Sequence, residues 1–191
     1  MVKLKSVKTR LKLEKPKIGL YPSTTCLVVT LSDIFKVNIM PVGLVGSPSL
    51  DPPTVGISVL DSHYTYHLLN KFKEFTLNTV NQNLVEKITY LGSVSGRDED
   101  KLKGSKLTIL SSSVIKTPIL KECPVNMECK VIKKIKLGRY GYFIGEIVYS
   151  HITRELLDSQ NKIISQKLDS IVTLFFDYFA VKNYLGSFKP R

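Results

Sequence analysis

Apolar positions along this chain recur mostly at period two or in short β-branched runs, which is the pattern of strands rather than helices. The run 26–31 (CLVVTL) is apolar throughout and bounded by Pro22-Ser23 and Ser32-Asp33, so it reads as a strand buried on both faces. The segment 36–45 (KVNIMPVGLV) has the same character, but Pro41 removes a ladder donor and Gly43 a side chain. Something other than a regular neighbouring strand is therefore expected to approach there, with a bulge that faces a ligand. Residues 54–60, 74–80 and 140–149 read as further strands. So do the alternating Val125, Met127, Cys129 and Val131, and the run 171–181. Val2/Leu4 and Leu11/Leu13 alternate with bases and predict short edge strands at the N-terminus.

Two short helices interrupt the strands. Thr65 is predicted to cap one that runs to Phe72, with Leu68, Leu69 and Phe72 on one face. Leu84, Val85, Ile88 and Leu91 recur at helical spacing from a cap at Asn81 or Asn83 and stop at Gly92, after which GSVSGRDEDK reads as a polar loop. The C-terminal aromatics Phe175, Phe176, Tyr178, Phe179 and Tyr184 are assigned to the core by default, some of them to a ligand or a partner subunit. No period of 20–50 residues repeats and no interdomain linker is visible, so the expectation is one mainly β domain with barrel-like strand spacing.

Composition adds three things. With 191 residues, 43% apolar and 23% charged, the chain is long enough to bury a core without disulfides, and Cys26, Cys123 and Cys129 read as structural thiols. The longest apolar-rich stretch, 171–181, is too short to cross a bilayer and contains Asp177, and no apolar h-region follows the basic start. A cytoplasmic protein without membrane contact is expected. The net charge of +12, with seven bases in the first 17 residues, asks for an anionic partner. Residues 1–17 carry no aromatics to stack on bases, so nucleic acid is not the expected one.

Familiar catalytic signatures are missing. Val94 stands where a nucleophile elbow would need serine, neither GxGxxG nor GxxxxGK[ST] occurs, and His63 and His67 lack the glutamate of HExxH, so no metal site is expected. What remains is SHYTYHLL (62–69): two hydroxyls, Ser62 and Thr65, with His63 at a predicted helix start. Hydroxyls, oriented amides and a cation together suit a phosphate.

Several segments in order, from about Tyr21 to Glu146, resemble one family. They are YPSTTCLVVTL, NIMPVGLVGSPSLDPPTVGISV, SHYTYHLL, EFTLN, GSVSGRDEDKL, PILKECPVNMEC and FIGEIV. The family is that of the flavin reductase-like FMN-binding split barrels, which includes flavoredoxins and archaeal ferric reductases. The resemblance implies a six-stranded Greek-key split barrel with two or three short helices over residues 21–191. Residues 1–20 would form a basic strand segment packed on it. It also implies FMN as cofactor near a homodimer interface, NADH or NADPH as reductant, and free flavin, ferric iron or a protein as acceptor. An FMN-holding electron carrier without NAD(P)H activity is the alternative. The implied FMN-binding residues are Asn38, Ile39, Met40 and Pro41 along the ring, Ser49 before the double proline, Ser62, His63, Tyr64 and Thr65 at the phosphate, and Ser95, Gly96 and Lys101 in the closing loop, with Arg97 as a second choice of cation. No acid or base side chain is assigned to catalysis, since the cofactor would carry the chemistry. Family members often carry arginine or lysine where this chain has His63.

Overall fold

The computed structural model describes residues 14–186. Its strands are β1 (Ser23–Thr24), β2 (Cys26–Leu31), β3 (Val37–Val42), β4 (Val45–Leu50), β5 (Pro53–Leu60), β6 (Glu74–Thr79), β7 (Ile109–Leu110), β8 (Ile119–Leu120), β9 (Val125–Leu137), β10 (Tyr140–Ile152), β11 (Ile171–Leu174) and β12 (Asp177–Ala180), and its α-helices are α1 (Tyr64–Phe72), α2 (Val85–Ser93) and α3 (Lys101–Ser105). The main sheet is antiparallel with the order β3-β2-β6-β9-β10-β5-β4. Its two ends, β3 and β4, are halves of one chain segment bent at Gly43-Leu44, the Leu44 carbonyl accepting from the Ser58 amide at 2.9 Å. Counting β3 and β4 as one bent strand, that closes the sheet into a barrel of six strands, as the resemblance implied.

Strand β2 explains why its sequence is apolar at every position. Cys26 and Val28 point into the barrel with Phe75, Leu77 and Phe143, while Leu27 and Val29 point outward against Ile88 and Leu91 of α2. A strand packed on both faces loses the alternation that a half-exposed strand shows. Strand β6 does the same with polar residues on its outer face. Asn78 donates to the Leu27 carbonyl and accepts from the Leu120 amide and the Asn126 side chain, so β8 is fixed to the barrel by a satisfied buried network.

Four local expectations change. Helix α1 starts at Tyr64, with His63 rather than Thr65 at the cap position; Thr65 is turned inward because its hydroxyl has a buried partner. The β2–β3 register is unbroken from Cys26↔Val42 to Leu31↔Val37, so no bulge forms at Pro41. Pro41 is tolerated because β3 lies at the end of the strand order, where the C-terminus of α2 approaches it at Gly92. The polar loop after α2 contains α3, capped by the Asp100 side chain on the Lys103 amide. The run 171–181 is a hairpin, β11–β12, turning at Phe175-Phe176 and pairing with β1. Its aromatics are consequently mostly not core: Phe175, Phe176 and Phe179 are exposed and Tyr178 packs on the interior, while Tyr184, beyond the hairpin, is exposed as well.

Residues 14–20 form no strand and are exposed, while the alternating positions Val2 to Leu13 lie outside the described residues. The three cysteines are free and buried, as expected, and burial pushes the Cys26 thiol up to about 12. Among the described residues no helix is long and apolar enough to cross a membrane, and no cluster could hold a metal ion.

Loop 111–117 is held by two carboxylates that the sequence pattern did not single out. Glu128, fully buried, accepts from the amides of Ser113, Val114 and Ile115 and pairs with His151 Nε2 at 2.7 Å; Glu74 accepts from the amide and hydroxyl of Thr117. Burial alone would raise the Glu128 carboxyl, but the His151 bond and the three amides hold it below its ordinary 4.5. Its contribution is therefore complete above that value and fades as pH falls through the lowered one. Glu128→Gln should cost about 1–3 kcal/mol of unfolding free energy at pH 7, measured by urea titration, and the gap to wild type should shrink toward pH 3. An equal gap at both pH values would contradict this clamp.

Candidate functional site

The described residues leave a cleft of about 780 Å³ between β3, the start of α1, the α2–α3 connection and the β11–β12 hairpin. Its size lies in the range of small-molecule and cofactor pockets. Ten of the twelve sequence-derived positions line it: Asn38, Met40, Pro41, Ser62, His63, Tyr64, Thr65, Ser95, Gly96 and Lys101. Ile39 does not, because on a regular strand it alternates away from Asn38 and Met40 and is buried against α2. Ser49 does not either; it closes an exposed turn, its hydroxyl bonded to the Asp51 carbonyl and amide.

The floor is joined by one buried pair. Asn38 Nδ2 donates to Thr65 Oγ1 at 2.8 Å, fastening β3 to the first turn of α1, and both side chains are about 2% exposed. Gly96 lies against the same asparagine so closely that a Cβ there would sit 2.0 Å from Asn38 Oδ1. Glycine is needed here for approach, its φ being ordinary.

One end of the cleft is cationic. His63, Arg97 and Lys101 all face it, and no aspartate or glutamate lines the cleft. Arg97 lies over the Tyr64 ring at 5.2 Å and donates to the Ser62 carbonyl at 3.1 Å, which holds it at the mouth. Lys101 is 5% exposed; its Nζ donates to the Leu91 carbonyl at 2.6 Å, and among the described residues no carboxylate forms an ion pair with it. Burial pushes its pKa down to about 8, only partly offset by Glu99. His63 is likewise held below its ordinary range, by burial first and then by Lys101 and Arg97. Helix α1 adds to the same field: it has no acid in its first turn, its cap residue makes no side-chain bond, and its first residues Tyr64 and Thr65 line the cleft. Such a set suits a compact polyanion.

Of the opposite wall, the sequence assigns some C-terminal aromatics to a ligand or a partner subunit but does not single out Tyr21, Ser23, Thr25 or Thr173. Tyr21, Phe175, Phe176 and Tyr178 line that wall together with Ser23, Thr25 and Thr173. The Tyr21 and Phe175 rings are 4.5 Å apart, and the Thr25 and Thr173 hydroxyls bond across β1–β11. About 150 residues separate these partners along the chain, so no local pattern could pair them.

Comparison with known proteins agrees with the fold. The flavin reductase like domain matches residues 18–166. The chain is 34% identical over 134 residues to an uncharacterised protein of Archaeoglobus fulgidus, covering 70% of this chain and 73% of that one. It is 30% identical over 129 residues to one of Pyrococcus abyssi, covering 68% and 73%. Flavoredoxin of Desulfovibrio vulgaris (Miyazaki F) superimposes with a TM-score of 0.85 at 26% identity, over 93% of this chain and 97% of that one. Flavoredoxin from Methanosarcina acetivorans gives 0.84 at 28%, over 94% and 95%. The chain belongs to the flavin reductase-like family, and that membership supports a role in flavin-related electron transfer.

Gly96→Ala should force Asn38 off Thr65 and leave a buried amide without its partner, a loss of about 1–3 kcal/mol. Urea unfolding measures it; an unchanged midpoint would show that the asparagine does not tie the floor together.

Proposed function

We propose that this cleft holds FMN and that the protein is a flavin reductase-like oxidoreductase using NAD(P)H as reductant. The observation that carries this reading is the cationic end: a buried lysine, an arginine and a histidine share it with a helix N-terminus and no acid. Like charges placed together and partly buried are costly unless an anion joins them, and the FMN phosphate is close to a dianion near neutral pH. The residues fit the group. Ser62, Thr65 and Ser95 supply hydroxyls beside the three cations, and Asn38, Met40, Pro41 and Gly96 form the floor along which a flat ring would lie.

Within this reading the side chains bind and orient; none has to move a proton. Lys101 supplies charge from inside the protein, where it is screened less than a surface lysine would be. Arg97 closes the mouth through Tyr64 and the Ser62 carbonyl. His63 takes the place that arginine or lysine often fills in the family, so its charge depends on an anion raising its lowered pKa. FMN, when bound, would supply hydride acceptance and electron delivery. The acceptor is a flavin, ferric iron or a protein. Exposed Ile132, Ile135, Leu137 and Tyr140 on the β9–β10 ribbon support a homodimer.

Purified protein is expected to be yellow and to bleach on mixing with NADH or NADPH under anaerobic conditions. A protein that retains FMN yet stays oxidised with both is the carrier form instead, reduced by a partner protein. Since Lys101 is charged below about 8 and neutral above, FMN affinity should fall as pH rises through that value. Lys101→Met should weaken FMN at least tenfold at pH 7, about 1.4 kcal/mol, and remove that part of the pH dependence. Fluorescence titration reads both. A pH-flat wild-type affinity from 7 to 9 would place the phosphate elsewhere.

A further inference from the structure

The cleft has two chemically different ends, and the phosphate reading uses only one. The other end presents Tyr21, Phe175, Phe176 and Tyr178 with Ser23, Thr25 and Thr173, and no charged group among the described residues. Its most exposed part is the tip of the β11–β12 hairpin. Phe175 takes φ +56, a conformation uncommon for a bulky side chain, and Phe176 is 94% exposed. Such a tip ordinarily carries glycine or asparagine. Here it carries two rings at a cleft mouth, so the chain accepts local strain and exposed apolar surface in order to present flat faces there.

The lining also decides which occupants fit. A hydrated ferric cation would face Lys101 and Arg97 and find no carboxylate among the described lining residues. A neutral, planar aromatic molecule does not meet that obstacle and gains ring stacking. We propose that the aromatic end is an acceptor subsite for a neutral planar two-electron acceptor of quinone chemistry, stacked on Phe176 and bordered by Tyr21 and Phe175. The inference rests on the FMN reading above. In the redox step the quinone takes up two electrons and two protons to become the quinol, and reduced FMN returns to its oxidised form.

The test separates binding from turnover. Oxidised, FMN-loaded protein is titrated with menadione by calorimetry with no reductant present. Wild type should bind saturably, Phe176→Ala about five- to tenfold more weakly, and Phe176→Tyr, which keeps a stacking face, like wild type. FMN content and solution mass should not change in either variant. Dithionite-reduced protein is then mixed anaerobically with menadione or ferric-EDTA. Reoxidation by menadione should saturate, with the half-saturating concentration raised in Phe176→Ala, whereas the ferric-EDTA rate should rise linearly and be the same in both proteins. Equal menadione binding by wild type and Phe176→Ala overturns the proposal. Loss of FMN or a change of mass in that variant also overturns it, because the ring would then serve the cofactor or a second copy. Wild-type protein that takes up no FMN rejects the underlying reading instead, and does so before menadione is added.

Discussion

Lys101 is a buried ammonium without an anion of its own, and the arrangement of the cleft follows from that. It is the first residue of α3, brought under the C-terminal end of α2, where its one hydrogen bond satisfies the Leu91 carbonyl. Burial of a charge in this way is unfavourable, which is why its pKa is depressed, and His63 and Arg97 make the same region more positive still. Protein interiors ordinarily answer such a charge with a carboxylate. Among the described residues none lines this cleft, so the positive charge there has no protein counter-charge beside it.

The barrel makes this possible by holding the parts rigidly. Strand β3 has one face in the core through Ile39 and the other toward the cleft through Asn38 and Met40, and the Asn38–Thr65 bond fixes the start of α1 against it. The α2–α3 connection then comes down onto Asn38 at Gly96, where a Cβ would sit 2.0 Å from Asn38 Oδ1. Three chain segments far apart in sequence thus meet at one cleft, the start of α1 bringing His63 and the α2–α3 connection bringing Arg97 and Lys101 to the same end. The β11–β12 hairpin, outside the barrel and tied to it through β1, supplies the aromatic wall that the barrel lacks.

Much of this was legible in the chain. Alternation and β-branched runs gave the strands, and ordered segments such as NIMP, SHYTYH and SGRDEDK placed ten of the twelve expected residues in one cleft. The misreadings have physical causes. Thr65 has the chemistry of a cap, yet a buried asparagine from another strand claims its hydroxyl. Ser49 precedes two prolines that bend it into its own turn, away from the cleft. The aromatic run near 175 has a core composition but folds as a hairpin whose tip points outward. Long-range partners, such as Thr25 with Thr173 or Glu128 with loop 113–115, leave no local signature at all.

The central claim is that a phosphate-bearing ligand completes the cationic end of the cleft. Calorimetric titration of FMN at pH 8 in buffers of different ionisation enthalpy tests it most directly, since an anion at Lys101 raises a pKa that burial pushes down to about 8. The account predicts net proton uptake on binding, carried by Lys101 and abolished in Lys101→Met. Binding with no proton uptake, or with proton release, would contradict it.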